Sequence, residues 1–297
     1  MKTRLSVLLL VFAGFNLQLF AQDEDLLQLL GGDKTEPQKE YVDYAFKSSR
    51  VIMSHSMEVI RPGVMDLRIL HRFGNINKGA YELFGLDNAS MRLGFDFGLS
   101  KNLMVGIGRS TNKKELDGFF KYRLIHQAKG KGAMPFSFLL VGGSSMTLLK
   151  FSDTSRKNYF SSRIGYYGQA IIGRKFSEGF SLQFMPTVLH RNLVASPDDP
   201  NDMLAIGVGT RVKLSRRISL NVDYYYRINP NPADQTQNPL SIGFDIETGG
   251  HVFQLHFTNA VGMNEKVFLA ETQNRWDKGD IQFGFNISRS FQIKKKK

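Results

Sequence analysis

Residues 90–100, SMRLGFDFGLS, alternate between apolar and polar side chains over their whole length. The odd-numbered positions from Met91 to Leu99 carry large apolar side chains, and the even-numbered positions carry Ser, Arg, Gly or Asp. Because successive side chains of a strand point to opposite faces, the segment predicts a β-strand with one apolar and one polar face. The pattern returns about a dozen times in lengths of about ten residues, which is typical of a transmembrane β-barrel.

Residues 1–21 have the features of a secretory signal peptide. Lys2 and Arg4 precede an apolar stretch at residues 5–15, and Ala21 is the last residue before the expected cleavage point. The stretch is too short for a membrane-spanning helix with ordinary flanks, and a retained N-terminal anchor is the alternative. We expect residues 22–40 to form a periplasmic N-terminal extension, in which residues 25–30 either plug the lumen or belong to an unstructured terminus.

The amino-acid composition limits the kinds of chemistry and of binding partner that are expected for the protein. The chain has no cysteine, which excludes disulfides, lipoprotein attachment and thiolate chemistry. The formal net charge of +12 is spread along strands and loops of an exported chain, so nucleic acid is not an expected partner. We expect the basic excess to serve contacts with lipopolysaccharide phosphates or a lumen that prefers anions.

The connections between the alternating segments also follow a pattern. Those at residues 149–162 and 191–203 are long, whereas those at 177–179 and 215–217 are tight. Outer-membrane barrels combine short periplasmic turns with longer external loops. This alternation favours a membrane barrel over the alternative fold, a soluble exported β-sandwich.

The strand count depends on the first two segments. With residues 41–47 and 51–60 counted as strands, the barrel has about fourteen strands, an even number as in bacterial single-chain barrels. Twelve is the alternative, if one hairpin is an internal or external flap. We predict an all-β fold, an antiparallel up-and-down transmembrane β-barrel over residues 41–293, followed by a solvated basic tail at residues 294–297.

The two faces of the strands are assigned by their bulk and polarity. The apolar face is bulky on nearly every strand, and packing it inward would require a second layer that the sequence does not reveal. We therefore expect this face to contact lipid and the polar face to line a hydrated lumen. The candidate lumen-lining residues are Arg68, Arg72, Arg92, Asp96, Lys121, Arg123, Arg163, Arg211, Lys213, Asp223, Arg227, Asp245 and Glu247.

Several long segments resemble a known family. They include FKSSRVIMSHSMEV at residues 46–59, FMPTVLHRNLV at 184–194 and FDIETGGHVFQLHFTNAVGMNEKVFL at 244–269. With these, roughly residues 41–291 resemble a Bacteroidota family of outer-membrane β-barrels catalogued as a domain of unknown function. The resemblance implies a location and an architecture, and it supplies no functional residues to carry over.

The sequence contains two groups of residues that could form chemical sites. Ser54, His55 and Ser56 suggest lipolysis, but adjacent residues of a regular strand point to opposite faces, so His55 and Ser56 cannot form a nucleophile–base pair. His251 and His256 have a ligand-like spacing but opposite parities, which does not suit a metal site. We therefore predict no catalytic residues, no metal and no cofactor.

The function predicted from these features is that of a non-enzymatic outer-membrane β-barrel. It would be either a small-solute pore or a scaffold that docks a periplasmic partner. A lipid-modifying barrel enzyme and a soluble exported β-sandwich that binds a ligand are the alternatives. The expected partners are outer-membrane lipid and lipopolysaccharide, together with periplasmic proteins.

Overall fold

The computed structural model describes residues 38–151, 154–155, 157–194, 199–230 and 235–294. The predicted signal peptide, almost all of the predicted N-terminal extension and the last three residues of the basic tail lie outside these residues. Within the described part of the chain, no helix combines the length and the apolar composition that crossing a membrane would require.

Twelve antiparallel strands close into a barrel. In chain order they are β2 (Val64–Asn75), β3 (Ala89–Gly98), β4 (Leu103–Ser110), β5 (Glu115–Ile125), β7 (Ser137–Thr147), β8 (Ile164–Lys175), β9 (Phe180–Arg191), β10 (Asp202–Lys213), β11 (Ile218–Arg227), β12 (Leu240–Thr248), β13 (His251–Thr258) and β14 (Gln282–Gln292). Each strand pairs with its neighbours along the chain, and β14 pairs with β2 to close the barrel. Two short strands outside the barrel, β1 (Glu40–Tyr41) and β6 (Ala128–Lys129), pair with each other.

The barrel has the smaller of the two predicted strand counts. The predicted strands at residues 41–47 and 51–60 are wrong, because residues 45–58 enter the lumen and barrel pairing begins at Val64. These residues are apolar enough to resemble a strand, but nearly all of them are buried inside the protein. One helix, α1 (Glu265–Ala270), lies in the long connection between β13 and β14.

The two ends of the barrel differ. We call the turn end the one formed by the connections at residues 99–102, 126–136, 176–179, 214–217 and 249–250. The loop end is formed by those at residues 76–88, 111–114, 148–163, 192–201, 228–239 and 259–281. The first and last barrel strands, β2 and β14, respectively begin and finish at the turn end.

Three connections at the turn end share one hydrogen-bonded geometry. The Ser100 hydroxyl accepts hydrogen bonds from the backbone N–H groups of Asn102 and Leu103 at 3.2 and 3.0 Å. Ser177 and Ser215 accept in the same way from the residues two and three positions later. A serine side chain stabilises a tight turn by such local bonds, so the apolar–Ser–x–x–apolar sequence explains these three turns.

The predicted faces of the strands are confirmed. In β3, the side chains of Arg92 and Asp96 are buried inside the barrel, whereas Leu93 is exposed on the outside. Large apolar side chains of other strands, such as Ile107 and Phe244, are exposed in the same way. An outer surface of this kind is stable against hydrocarbon rather than water.

Candidate functional site: a lumen closed by a plug and a loop

The lumen contains a segment that we call the plug, residues 45–58. Arg50 and His55 form an isolated antiparallel bridge, so that residues 51–54 make the tip of a small hairpin. The backbone N–H of Val51 donates to the carbonyl of Ser54 at 2.9 Å. The side chains of residues 48–57 are buried. The plug is therefore a second layer of structure inside the barrel.

The tip of the plug is held by one carboxylate of the wall. Asp223 on β11 accepts hydrogen bonds at Oδ2 from the backbone N–H groups of Ile52, Met53 and Ser54, at 3.3, 2.9 and 2.8 Å. Its Oδ1 accepts from the Ser54 hydroxyl at 2.9 Å. Four donors on one buried carboxylate satisfy its charge without a cation.

The base of the plug is held by one ammonium group. Lys121 on β5 is fully buried, and its Nζ donates to the carbonyl oxygens of Ser49, Ser56 and Glu58 at 3.0, 3.0 and 2.9 Å. Beside it, Arg123 donates from Nη2 to the Met57 carbonyl at 3.1 Å. The wall thus presents cations to plug carbonyls at the base and a carboxylate to plug amides at the tip.

Neutral wall side chains satisfy further backbone groups of the plug. Gln183 accepts from the Met57 N–H at 2.9 Å and donates to the His55 carbonyl at 2.7 Å. Gln254 donates to the Val51 carbonyl at 2.7 Å, and Asn286 donates to the Ile52 carbonyl at 3.1 Å. These contacts replace the strand partners that the plug lacks, because buried backbone groups require hydrogen bonds.

One side of the lumen is apolar. Val51, Ile52 and Met53 of the plug belong to one buried cluster with wall residues that include Met185 and Tyr225. The Tyr225 ring has room there because Gly207 lies beside it, where an added Cβ would be 2.5 Å from the ring. The prediction of a hydrated lumen is wrong for the part of the lumen beside residues 51–53. There the plug supplies apolar side chains that the strands alone do not provide.

The loop between β13 and β14 closes the lumen from the other side. We call residues 259–281 the outer loop. Helix α1 begins after Asn264, whose side chain accepts from the Val267 N–H at 3.1 Å, and all six of its residues are buried. Phe268 packs against Tyr225 with ring centroids 5.4 Å apart. Lys266 pairs with Glu115 on β5 at 2.7 Å.

The plug and the outer loop meet at a buried group of charged and aromatic residues. Glu265 of α1 accepts from Arg50 of the plug at 2.7 Å, and its Oε1 lies 3.3 Å from Nε2 of His55. Nε2 of His55 is also 3.2 Å from the Tyr167 hydroxyl of β8. Burial, followed by the charges of Arg50 and Lys121, lowers the pKa of His55 well below 6.5, so the ring is neutral. The plug and the outer loop, which we call the two seals of the lumen, are thus in direct contact.

A cavity lies at each end of the closed lumen. The one at the loop end has a volume of about 710 Å³, and its lining includes Lys266 and Arg163. The one at the turn end has a volume of about 610 Å³, and its lining includes Glu58 and Arg123. The plug lines part of the cavity at the turn end, and α1 lines part of the cavity at the loop end. The plug and the outer loop therefore lie between the two cavities and separate them.

The predicted lumen-lining residues fall into three groups. Arg163 is half-buried at the loop end, where it donates to the Thr147 carbonyl at 3.2 Å, and Glu247 is half-buried at the turn end, where it pairs with Lys47. Lys213 is exposed because β10 reaches the turn end at this residue. The others are buried inside the barrel: Arg68, Arg72, Arg92, Asp96, Lys121, Arg123, Arg211, Asp223, Arg227 and Asp245.

The sequence reasoning missed the neutral residues of this site. Gln183, Gln254 and Asn286 lie on the polar parity of their strands, but the predicted lumen-lining residues are all charged and do not include them. The plug itself carried a signal, since the polar tripeptide Ser54-His55-Ser56 interrupts the alternation expected of a lipid-facing strand.

That tripeptide does not form a catalytic pair. The Ser54 hydroxyl donates to Asp223, and the Ser56 hydroxyl donates to the Ser48 carbonyl at 2.6 Å. Nε2 of His55 instead contacts Tyr167 and Glu265. In the part of the chain that the structure describes, no three His, Asp or Glu side chains are grouped in a way that could hold a metal ion.

A closed antiparallel barrel with an apolar outer face and a polar inner face defines an outer-membrane β-barrel protein. The chain belongs to the membrane-bound β-barrel domain family (DUF5777), whose model matches residues 46–291. The protein is therefore located in the outer membrane.

Solved structures with a similar barrel include two porins and one further protein. The NanC porin is 9% identical, with 76% of this chain and 98% of that chain covered and a TM-score of 0.48. The KdgM porin is 8% identical, with 77% and 99% covered and a TM-score of 0.45. LpxR from Salmonella typhimurium is 12% identical, with 77% and 99% covered and a TM-score of 0.37. No curated protein matches the sequence significantly.

Proposed function

We propose that the protein is a gated channel for small polar solutes, and that this conformation is its closed state. The observation that carries the proposal is the buried charge of the wall around the plug. Lys121, Arg123 and Arg211 have no carboxylate within ion-pairing distance in the described residues, and they bind the plug through its carbonyl oxygens. A permanently filled barrel would be at least as stable with apolar residues at such positions.

The same wall suits water when the plug leaves. The polar partners of the plug are single side chains of Lys, Arg, Asp, Gln and Asn, which water can satisfy after the plug has moved. Departure of the plug would uncover the three cations named above and Arg72, which also lacks a carboxylate partner in the described residues. The uncovered carboxylates without a cationic partner would be Asp96, Asp223 and Asp245, together with Glu247 and Glu265, whose partners Lys47 and Arg50 leave with the plug. Uncovered charges of the two signs are then nearly equal in number, so we expect little discrimination between small anions and cations.

The path of the chain suits withdrawal of the plug. Its two ends are connected to β1 and β2, and both connections are at the turn end. A hairpin anchored in this way can leave the lumen without threading through it. In outer-membrane barrels the short turns face the periplasm, so we expect the plug to withdraw toward the periplasm.

Conductance in planar bilayers tests the proposal. We expect the native protein to be closed for most of the time. Because the outer loop also closes the lumen, the plug-deleted variant has short Gly-Ser linkers in place of both residues 48–57 and residues 263–272, and we expect it to conduct steadily. The matched control is Asp202→Ala, which changes an exposed carboxylate at the loop end and should conduct like the native protein. A plug-deleted barrel that is folded, as judged by heat-dependent migration on a detergent gel, but does not conduct would contradict the proposal and favour a closed scaffold.

Accessibility of the tip provides a second test that does not remove the plug. The chain has no cysteine, so Ser54→Cys introduces one thiol at a fully buried position. We expect a membrane-impermeant maleimide to label this thiol slowly, and adding Asp223→Ala to raise the labelling rate at least tenfold. Equal rates with and without Asp223 would mean that the tip is not held in the way proposed.

A further inference from the structure

The two ends of the barrel carry different charge. Among the described residues that are not buried, the turn end has thirteen lysines and arginines against five carboxylates. The loop end has ten against seven. The net positive charge is therefore concentrated at the turn end, where all connections except that at residues 126–136 are short and lie close to the edge of the apolar outer surface.

The three serine-centred turns place apolar side chains beside this charge. Leu99, Phe176 and Leu214 directly precede the turn serines, and they are 57%, 53% and 56% exposed. Lys101, Arg216 and Arg217 follow the serines in two of these turns and are exposed. The repeated geometry thus produces an apolar anchor with a cation immediately beyond it at separate places on the circumference.

Two arginines near the ends of strands show the same combination on the outer face. The Arg174 guanidinium lies 5.1 Å from the centroid of the Phe176 ring, and the Arg289 guanidinium lies 5.0 Å from that of Phe291. Both arginines are exposed, and neither has a carboxylate partner in the described residues. A guanidinium stacked on a ring keeps its N–H donors free for phosphate oxygens.

We propose that the turn end binds the headgroups of anionic phospholipids. The cations lie on the outer circumference of the barrel and alternate with exposed apolar side chains, which is the arrangement expected where hydrocarbon meets headgroups. An acidic protein docking on the end of the barrel would not require apolar side chains beside each cation on the outer face. Anionic lipid attracts each lysine or arginine near its surface, and the attractions add up. Several such cations around the turn end should therefore favour anionic over neutral phospholipid headgroups.

The test compares charge-matched variants of the full chain. In the turn-end variant, Lys101, Arg174, Arg216, Arg217 and Arg289 are changed to Gln. In the control, Lys78, Lys114, Lys150, Lys157 and Lys278, which are exposed at the loop end, are changed to Gln. Both variants lose the same formal charge, and heat-dependent migration on a detergent gel shows whether each is folded.

Binding of phosphatidylglycerol and phosphatidylcholine to the protein in neutral detergent is then measured by native mass spectrometry. We expect the native protein and the control to bind phosphatidylglycerol about tenfold more strongly than phosphatidylcholine. We expect the turn-end variant to lose most of this preference. The proposal is overturned if the turn-end variant keeps the preference, or if both variants lose it equally, since the second result would reflect net charge alone. Conductance does not enter this test, so its outcome is independent of the proposed channel function.

Discussion

Ser54 and Asp223 are joined by two hydrogen bonds, from the serine N–H to Oδ2 at 2.8 Å and from its hydroxyl to Oδ1 at 2.9 Å. The bonds link the tip of the plug to β11 across 169 positions of sequence. The same carboxylate also binds the two preceding amides of the tip. Removing its charge should therefore loosen the tip without changing the shape of the lumen.

Asp223→Asn is expected to speed hydrogen exchange at the backbone amides of residues 52–54. The amide group of Asn offers one acceptor in place of two charged oxygens, and the lost charge-assisted bonds correspond to about 1–3 kcal/mol. Exchange at these amides should rise by about tenfold to a hundredfold. The control Asp202→Asn should leave it unchanged, and a rise of equal size in both variants would indicate a general effect of charge.

Acidification is expected to open the closed state. The folded protein holds the pKa of His55 well below 6.5, so the buried ring resists protonation while the ring of a withdrawn plug does not. The closed state is therefore fully favoured above about pH 6.5 and loses up to about 1.4 kcal/mol per pH unit below it. Open probability in bilayers should rise between pH 7 and pH 5.

The variant His55→Gln should remove most of this pH dependence. The charged and polar groups that act on the ring are Arg50, Lys121, Arg68, Arg92, Tyr167 and Glu265, and none of them changes in that variant. His190→Gln provides the control, because His190 is a less buried histidine near the loop end. If the native pH dependence persists in His55→Gln, another group controls the opening.

Arg50 and Glu265 are expected to show a large coupling energy. Either single change, Arg50→Met or Glu265→Leu, leaves one buried charge unpaired at a cost of about 3–5 kcal/mol, whereas the double variant leaves none. Urea unfolding, followed through the fluorescence of Trp276 in the outer loop, measures the change in free energy of unfolding for the two single variants and the double variant relative to the native protein. The single tryptophan of the chain makes this signal specific to that loop.

The exposed pair Lys113–Glu271 is a matched control for this cycle. Its atoms are 2.5 Å apart, but the lysine side chain is 48% exposed, so its coupling should stay below about 1 kcal/mol. Additive effects of the Arg50 and Glu265 changes would mean that the two seals are independent.

Much of the barrel could be predicted from the alternation of apolar and polar residues alone. The alternation at residues 204–214 and 218–228 agrees closely with β10 and β11, because one face meets lipid and the other does not. The plug could not be placed in this way. Val51, Ile52 and Met53 are apolar because they pack inside the barrel, and a sequence pattern does not distinguish burial in hydrocarbon from burial in a filled lumen.

The outer loop was missed for a related reason. Its length predicted an external loop, but residues 265–270 are buried at the mouth of the barrel through Phe268, Glu265 and Lys266. The partners of these side chains are distant in sequence, such as Arg50 and Glu115. Long-range pairing of this kind leaves no local periodicity, so only the tertiary structure shows it.

The cost of placing an arginine on the outer face of the barrel is expected to depend on its depth in the membrane. Ile107 lies near the middle of β4 and is 50% exposed, whereas Met91 lies near the loop end of β3 and is 40% exposed. Ile107→Arg should cost about 2–4 kcal/mol in free energy of folding, and Met91→Arg about 0–1 kcal/mol, because an arginine near the interface reaches water. Reversible urea unfolding in lipid vesicles measures both. Similar costs for the two variants would mean that hydrocarbon does not cover Ile107, and the barrel would then sit at a different depth from the one that its apolar surface predicts.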